Sequence, residues 1–389
     1  MSPALPAGRP PIRIDGSSFV IAANGFSEGP SQPLHRFLLE NGAKTVTTIT
    51  HPLVKDGSNE HWVTTESIGT TTKRVRKLPN RPPLTYAFDP FVPLRPPRAN
   101  VWFGFNCIAT AQGIVHRSIK RIDRVVHWNV DFVPDRFGSN PVTMLYDRLD
   151  AFCCTHADGR VELSEAALAG RIERYALEPT IPAEVIPMGA WMADTPQTAA
   201  SNLESRRVVF LGSLVERMGI DVLIDAVILL RSAGTPVVLD VVGGGELFDS
   251  LQRRVANEGL TDVVKLHGFV PDFDGVMRIL ASASVAMAPY DPDPSSFTHF
   301  ADPGKLKAYL SAGLPILLTD VPPNADEIAR EGGAEIIPFD SVLIAERIGA
   351  LLGDPNEWAA RHRAAQRYTR QFDWATLFTD RLARLGVQA

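Results

Sequence analysis

Cysteine is scarce in this chain, with three residues in 389, two of them the adjacent Cys153 and Cys154. That excludes a disulfide framework and a cysteine-based zinc spacing, and it fits a reducing, cytoplasmic setting. No apolar run approaches the roughly 18–20 residues that a membrane-spanning helix needs. Residues 1–16, rich in proline and without an apolar core, read as neither signal peptide nor anchor. Positive charge is not in excess: a formal net charge of −5 gives no support for nucleic-acid binding. His299 stands alone, with no second ligand at metal spacing, so no metal is expected there.

What is present is apolar patterning, at 45% hydrophobic residues and a length suited to two domains. A short apolar strand over 19–23 leads into Asn24-Gly25-Phe26-Ser27-Glu28-Gly29-Pro30, then a helix with Leu34, Phe37 and Leu38 inward, then a strand over 45–50. Further strands are expected at 101–105 and 124–130 with a helix between them, followed by an amphipathic helix over 140–154. The polar stretch 194–205 reads as a linker. A second, more regular series starts at Val208, with strands at 208–212, 237–242, 263–267, 283–290 and 316–319. Residues 356–388 are helical by pattern, with Trp358, Phe372, Trp374 and Phe378 among the apolar positions. Alternating strands and helices of this kind give doubly wound α/β domains, whose ligands sit beyond the carboxyl ends of the strands.

Several stretches at those ends have anion-binding chemistry. In Asp302-Pro303-Gly304-Lys305 a polar loop turns into a helix whose first turn carries a lysine. Free N–H groups, the positive end of the helix dipole and a full charge then point the same way. Gly212-Ser213 and Gly243-Gly244-Gly245 end strands and permit backbone to approach a phosphate or ribose. Asp131 follows the strand over 124–130, next to Trp128 and Phe132. It reads either as a partly desolvated general base or as the cap of the following helix. Lys73, Arg74, Arg76, Lys77 and Arg81 precede Tyr86, Phe88, Phe91 and several prolines. That is a contact with an anionic membrane through residues 73–98, or a proline-rich surface loop.

The pattern P-x-K-L-x-x-Y-x-x-A-G-x-P over 303–315 resembles the donor-binding helix of GT-B glycosyltransferases, of the glycosyl transferases group 1 kind. V-D-F-V-P over 130–134, V-I-P-x-G over 185–189 and G-F-V over 268–270 are similar to that family as well. The resemblance is strongest over 206–340, weaker over 101–190 and architectural before that. It implies two Rossmann-like domains facing across a cleft. An acceptor domain would cover 1–195, with the final helix 365–389 packing back on it, and a nucleotide-sugar domain would cover 205–355. Many relatives carry two glutamates eight residues apart near this helix; here those places are Phe300 and Ala308, closer to the glucuronosyltransferase of xanthan assembly.

By this resemblance the donor site comprises Gly212, Ser213, Arg217, Gly243, Gly244, Phe269, Val270, Tyr290, Lys305 and Ala308, with Arg217 standing in for a lysine that relatives carry where this chain has Met218. Asn24, Gly25, Ser27 and Trp128 are expected to bind the acceptor, and Asp131 to take its proton. Asp291 and Asp293 are spaced like a divalent site, which this fold generally does without, so neither metal nor cofactor is expected beyond a nucleoside diphosphate sugar as co-substrate. The expected partners are that donor, UDP-linked before GDP-linked, and a glycan or lipid-linked acceptor. The expected setting is cytoplasmic, with peripheral contact at the inner face of a membrane. Two other functions compete: a sugar-nucleotide epimerase of the same fold, and a binding partner that has lost its chemistry, which Ser213, Met218 and Ala308 suggest.

Overall fold

The computed structural model describes residues 10–25, 29–53, 58–79, 86, 88–92, 98–133, 138, 141–178, 181–293 and 297–389. It divides into unit 1, residues 1–187 with 374–389, and unit 2, residues 188–373.

Unit 1 is built on an eight-stranded sheet of order β5-β4-β3-β2-β6-β7-β8-β9. These strands are β2 Ser18–Asn24, β3 Thr45–His51, β4 Glu60–Ser67, β5 Thr70–Lys77, β6 Ala99–Gly104, β7 Ile122–Trp128, β8 Gly159–Glu162 and β9 Ala183–Val185. A two-residue β1, Ile12–Arg13, pairs in parallel with β16, Val387–Gln388. All neighbours in the large sheet are parallel except β3/β4 and β4/β5. The interior of β2, Phe-Val-Ile-Ala-Ala, is buried throughout, as a parallel strand covered on both faces must be. Helices α1 Ser31–Glu40, α2 Cys107–Ser118, α3 Pro141–His156 and α4 Glu165–Tyr175 follow strands in this unit, and α12, Trp374–Arg384, returns to it. Phe378 of α12 sits 5.2 Å from Phe37 and 6.1 Å from Trp128, which itself stacks on Phe105 at 4.9 Å.

Unit 2 is a six-stranded, wholly parallel sheet of order β12-β11-β10-β13-β14-β15. Its strands are β10 Arg207–Leu211, β11 Val238–Val242, β12 Val264–Gly268, β13 Val285–Ala288, β14 Ile316–Leu318 and β15 Glu335–Ile336. The helices are α5 Ile220–Ser232, α6 Phe248–Asn257, α7 Phe273–Ala281, α8 Gly304–Ser311, α9 Ala325–Glu331, α10 Ser341–Gly353 and α11 Pro355–Tyr368. Asp240, the polar exception in β11, is fully buried between the Arg207 guanidinium and His267 Nε2, at 2.5 and 2.8 Å.

Three expectations are corrected. The stretch 194–205 is not a free linker: the Thr198 N–H and hydroxyl donate to Ala312 O and Ala283 O, and Asn202 donates to Ala281 O. It therefore belongs to unit 2. The helical pattern over 356–388 is broken, because Asp373 is extended (φ −65°, ψ 128°) after the 3-10 turn Thr369–Phe372. Residues 365–373 consequently stay with unit 2, where Phe372 is in the core, and unit 1 regains the chain only at Trp374. Finally, Lys73, Arg74, Arg76 and Lys77 lie on β5, an edge strand exposed along its whole length, rather than in a loop. Arg81 lies outside the described residues.

Candidate active site

In unit 2 the chain lays β10 first, then β11 and β12 on one side and β13 to β15 on the other, so strand order reverses between β10 and β13. Open α/β sheets bind ligands beyond such a switch point. Lys305, in the first turn of α8, is there. Its Nζ is 4.4 Å from the centroid of the Phe210 ring on β10, 4.5 Å from that of Tyr290 just past β13, and 3.8 Å from Met218 Sδ. Among the described residues no carboxylate pairs with it. Burial lowers this ammonium from the ordinary lysine value to about 7. Lys307, two positions on, is buried where Lys305 is half-buried, and its Nζ is 3.0 Å from Asp302. Asp302 also accepts from Asn324 Nδ2 and the Met188 N–H, both at 2.8 Å, which fixes the loop entering α8. No side chain caps α8 and no acid stands in its first turn, so its positive end is unneutralised.

The glycine loops interlock beside this lysine. A Cβ on Gly243 (φ +141°) would lie 1.9 Å from the Gly212 carbonyl oxygen, and one on Gly212 (φ +149°) 3.0 Å from Lys305 Nζ. Neither position accepts a side chain. The Gly212 N–H donates to Val242 O and the Gly243 N–H to Gly268 O, both at 2.9 Å, so these two amides are not available to a phosphate, contrary to the expectation for Gly212. Ser213 is exposed, Gly244 lies beside Phe269, and the Phe269 ring is 70% exposed with Val270 half-buried after it.

The other residues expected at the donor differ in exposure. Ala308 is 4% exposed within α8 and belongs to the hydrophobic core, so its methyl faces other side chains. Tyr290 is a wall of the lysine pocket; its buried hydroxyl has no hydrogen-bond partner, and burial pushes its pKa well up. Arg217 lies 4.0 Å from Asp293 across a half-exposed ion pair.

In unit 1 the strand order reverses between β2 and β6. Asn24, closing β2, donates to Asp89 Oδ2 at 2.9 Å and accepts from Asn106 Nδ2 at 2.6 Å, so its amide is engaged internally. Gly25 is buried at φ +93°, with its N–H on His51 O. Ser27 lies outside the described residues. Trp128 is fully buried in the aromatic cluster with Phe105 and Phe378, which removes it from the acceptor set. Asp131 is exposed, not partly desolvated, because Trp128 turns inward and Phe132 lies under Arg171. The next helix among the described residues, α3, starts at Pro141. The Asp131 carbonyl accepts from Arg171 Nη2 at 3.1 Å, and Arg171 is anchored by the buried Asp150 and Glu162.

Sequence reasoning misses two buried clusters whose members are too far apart in the chain to form a motif. In one, His51, His61 and Asp89 meet; in the other, His127, Asp150 and Cys154. Burial raises Asp89 to about 7, while burial and the neighbouring His61 lower His51 to about 3.

Residues 205–354 match the family Glycosyl transferases group 1. The chain is 28% identical over 182 residues to the GDP-mannose-dependent alpha-(1-6)-phosphatidylinositol dimannoside mannosyltransferase of Mycobacterium tuberculosis, a match covering 47% of this chain and 44% of that protein. The chain thus spans less than half the length of that curated relative. Among solved structures it is similar to sucrose-phosphate synthase from Thermosynechococcus elongatus, with TM-score 0.69, 13% identity and coverage of 93% and 96% of the two chains. It is also similar to Alr3699/HepE of Anabaena in complex with UDP, with TM-score 0.64, 16% identity and coverage of 93% and 97%. The fold is the GT-B fold of these structures.

Proposed function

We propose that this chain, whose residues 205–354 form a Glycosyl transferases group 1 domain, is a glycosyltransferase that moves a sugar from a nucleoside diphosphate sugar to an acceptor hydroxyl. The observation that carries this reading is Lys305, a cation held by two aromatic faces and a thioether at the switch point of unit 2, with no anion of its own among the described residues. A diphosphate supplies that anion. As the bond between the sugar and the diphosphate breaks, charge builds on the leaving phosphate, and Lys305 with the uncapped start of α8 stabilises it without a metal. Gly212 and Gly243, free of Cβ, let the two loops close on one another beside Lys305, Ser213 offers a hydroxyl, and the open Phe269 ring offers a face to the base. The donor is a UDP-sugar, with a GDP-sugar as the alternative that the mannosyltransferase relative favours.

The acceptor hydroxyl, on a glycan or lipid-linked saccharide, loses its proton to Asp131, which Arg171 holds by its backbone. The exposed basic strand β5, with Ile68 at the hairpin tip 91% exposed, would rest on an anionic membrane carrying such an acceptor.

The test is thermal stabilisation of the full chain by UDP, GDP and their sugars, followed by donor hydrolysis and transfer. Lys305→Ala should weaken nucleotide binding about 10–100-fold, the worth of a hydrogen bond to a charged group. No stabilisation by any nucleotide would overturn the reading, and stabilisation without turnover would favour a binding partner that has lost its chemistry. Asp131→Ala should keep donor affinity and lose transfer by about 10²–10⁴-fold; retained transfer would remove Asp131 from the role of base.

A further inference from the structure

Three side chains that the proposed transfer does not use converge in unit 1. His51 closes β3, His61 lies on β4, and Asp89 opens the 3-10 turn Asp89–Phe91. The two Nδ1 atoms are 2.9 Å apart, and Asp89 Oδ1 is 3.5 Å from the first and 3.7 Å from the second. All three side chains are at most 2% exposed. An imidazole–imidazole hydrogen bond accounts for the short edge of this triangle and leaves Asp89 Oδ1 buried without a donor. A cation at the centre accounts for all three edges, because it takes one lone pair from each residue. With metal–ligand bonds of about 2.0–2.1 Å, two ligands of a tetrahedral ion lie about 3.3–3.4 Å apart, and the observed edges bracket that spacing.

The surroundings agree. The other Asp89 oxygen is held by Asn24, and Asn24 by Asn106, the kind of outer support that orients a ligating carboxylate. Among the described residues no lysine or arginine pairs with Asp89. The cluster of His127, Asp150 and Cys154 differs on that point: the Arg171 guanidinium already occupies Asp150, Tyr175 donates to the same oxygen, and His127 is bonded through both nitrogens. A fixed positive charge stands where a cation would have to sit.

We propose that His51, His61 and Asp89 bind a divalent ion of the zinc class, which ties the β3–β4 pair to the turn at 89–91 beside the switch point of unit 1. Two imidazoles and one carboxylate suit zinc and its borderline neighbours over magnesium or calcium, which prefer oxygen. Three protein ligands leave the fourth tetrahedral position to a water, and burial of all three keeps the ion from bulk solvent.

The experiment strips the full chain with a chelator and titrates zinc against a chromophoric competitor, with metal content counted by mass spectrometry. The expected result is equimolar zinc that raises the melting temperature of the wild type. Binding should be lost in His51→Ala/His61→Ala and in Asp89→Asn, and weakened about 10–100-fold in Asn24→Ala, which removes the outer support. Zinc bound equally by the double variant, or none bound by the wild type, overturns the proposal. Should the variants fail to fold by circular dichroism, X-ray absorption of the zinc-loaded wild type decides: two imidazole scatterers support the site and their absence refutes it. Zinc binding is read apart from nucleotide binding, so failure of one leaves the other standing.

Discussion

Lys305 and Lys307 stand two positions apart on α8 and have opposite environments. Lys307 is neutralised by Asp302 at 3.0 Å, while Lys305 faces aromatic rings and sulfur. The folded chain lowers Lys305 to about 7, so the unfolded chain keeps that proton to a higher pH. Below about 7 both states are protonated and the folded state bears the whole desolvation cost. Between there and the ordinary lysine value the unfolded state binds more protons, so this residue's contribution to stability improves as pH rises. Lys305→Met should therefore raise the melting temperature more at pH 6 than at pH 10; equal shifts would mean the ammonium is well solvated. If a diphosphate binds here, as proposed, it recharges the group. Affinity should fall as pH rises through about 7, with proton uptake visible by calorimetry in buffers of different ionisation enthalpy. The motif around Lys305 is legible in sequence, but which lysine lacks a partner is not. That depends on Asp302 curling back onto Lys307 within one turn.

Among the elements, α8 and the loop before it form a unit in which one buried carboxylate bonds Lys307, Asn324 and the Met188 N–H. Breaking one side of a buried pair costs more than removing both. Lys307→Met alone should destabilise by about 3–5 kcal/mol, and Asp302→Asn/Lys307→Met by clearly less. A double-mutant cycle in urea checks this, and additivity would show that the pair is not coupled. The strands were legible wherever their interiors were apolar, as in β2 and β10. The hairpin of β4 and β5 was not, because β5, Thr-Thr-Thr-Lys-Arg-Val-Arg-Lys, has every residue exposed and carries no hydrophobic alternation. Trp128 misled for the opposite reason: an aromatic at a strand end suits a binding site, and only α12, from the far end of the sequence, supplies the Phe378 that buries it.

For the molecule as a whole, both units use the same device, parallel strands whose order reverses next to the first strand of the sheet, and the alternation of strands and helices announces it. The basic edge of unit 1 belongs to this scale too. If β5 meets an anionic surface, neutralising Arg74, Arg76 and Lys77 should lower cosedimentation with anionic vesicles and flatten its salt dependence. Unchanged sedimentation would leave β5 as a solvated edge strand guarded by charge. Among the described residues no helix is long and apolar enough to cross a membrane.

The return of residues 374–389 to unit 1 has a consequence for biogenesis. A ribosome reading this message completes every residue of unit 2 before it has made α12, without which Phe37 and Trp128 have no Phe378 to pack against. The amino-terminal half, translated first, is thus obliged to mature last, and it waits with an uncovered aromatic seam for which a chaperone is the natural custodian.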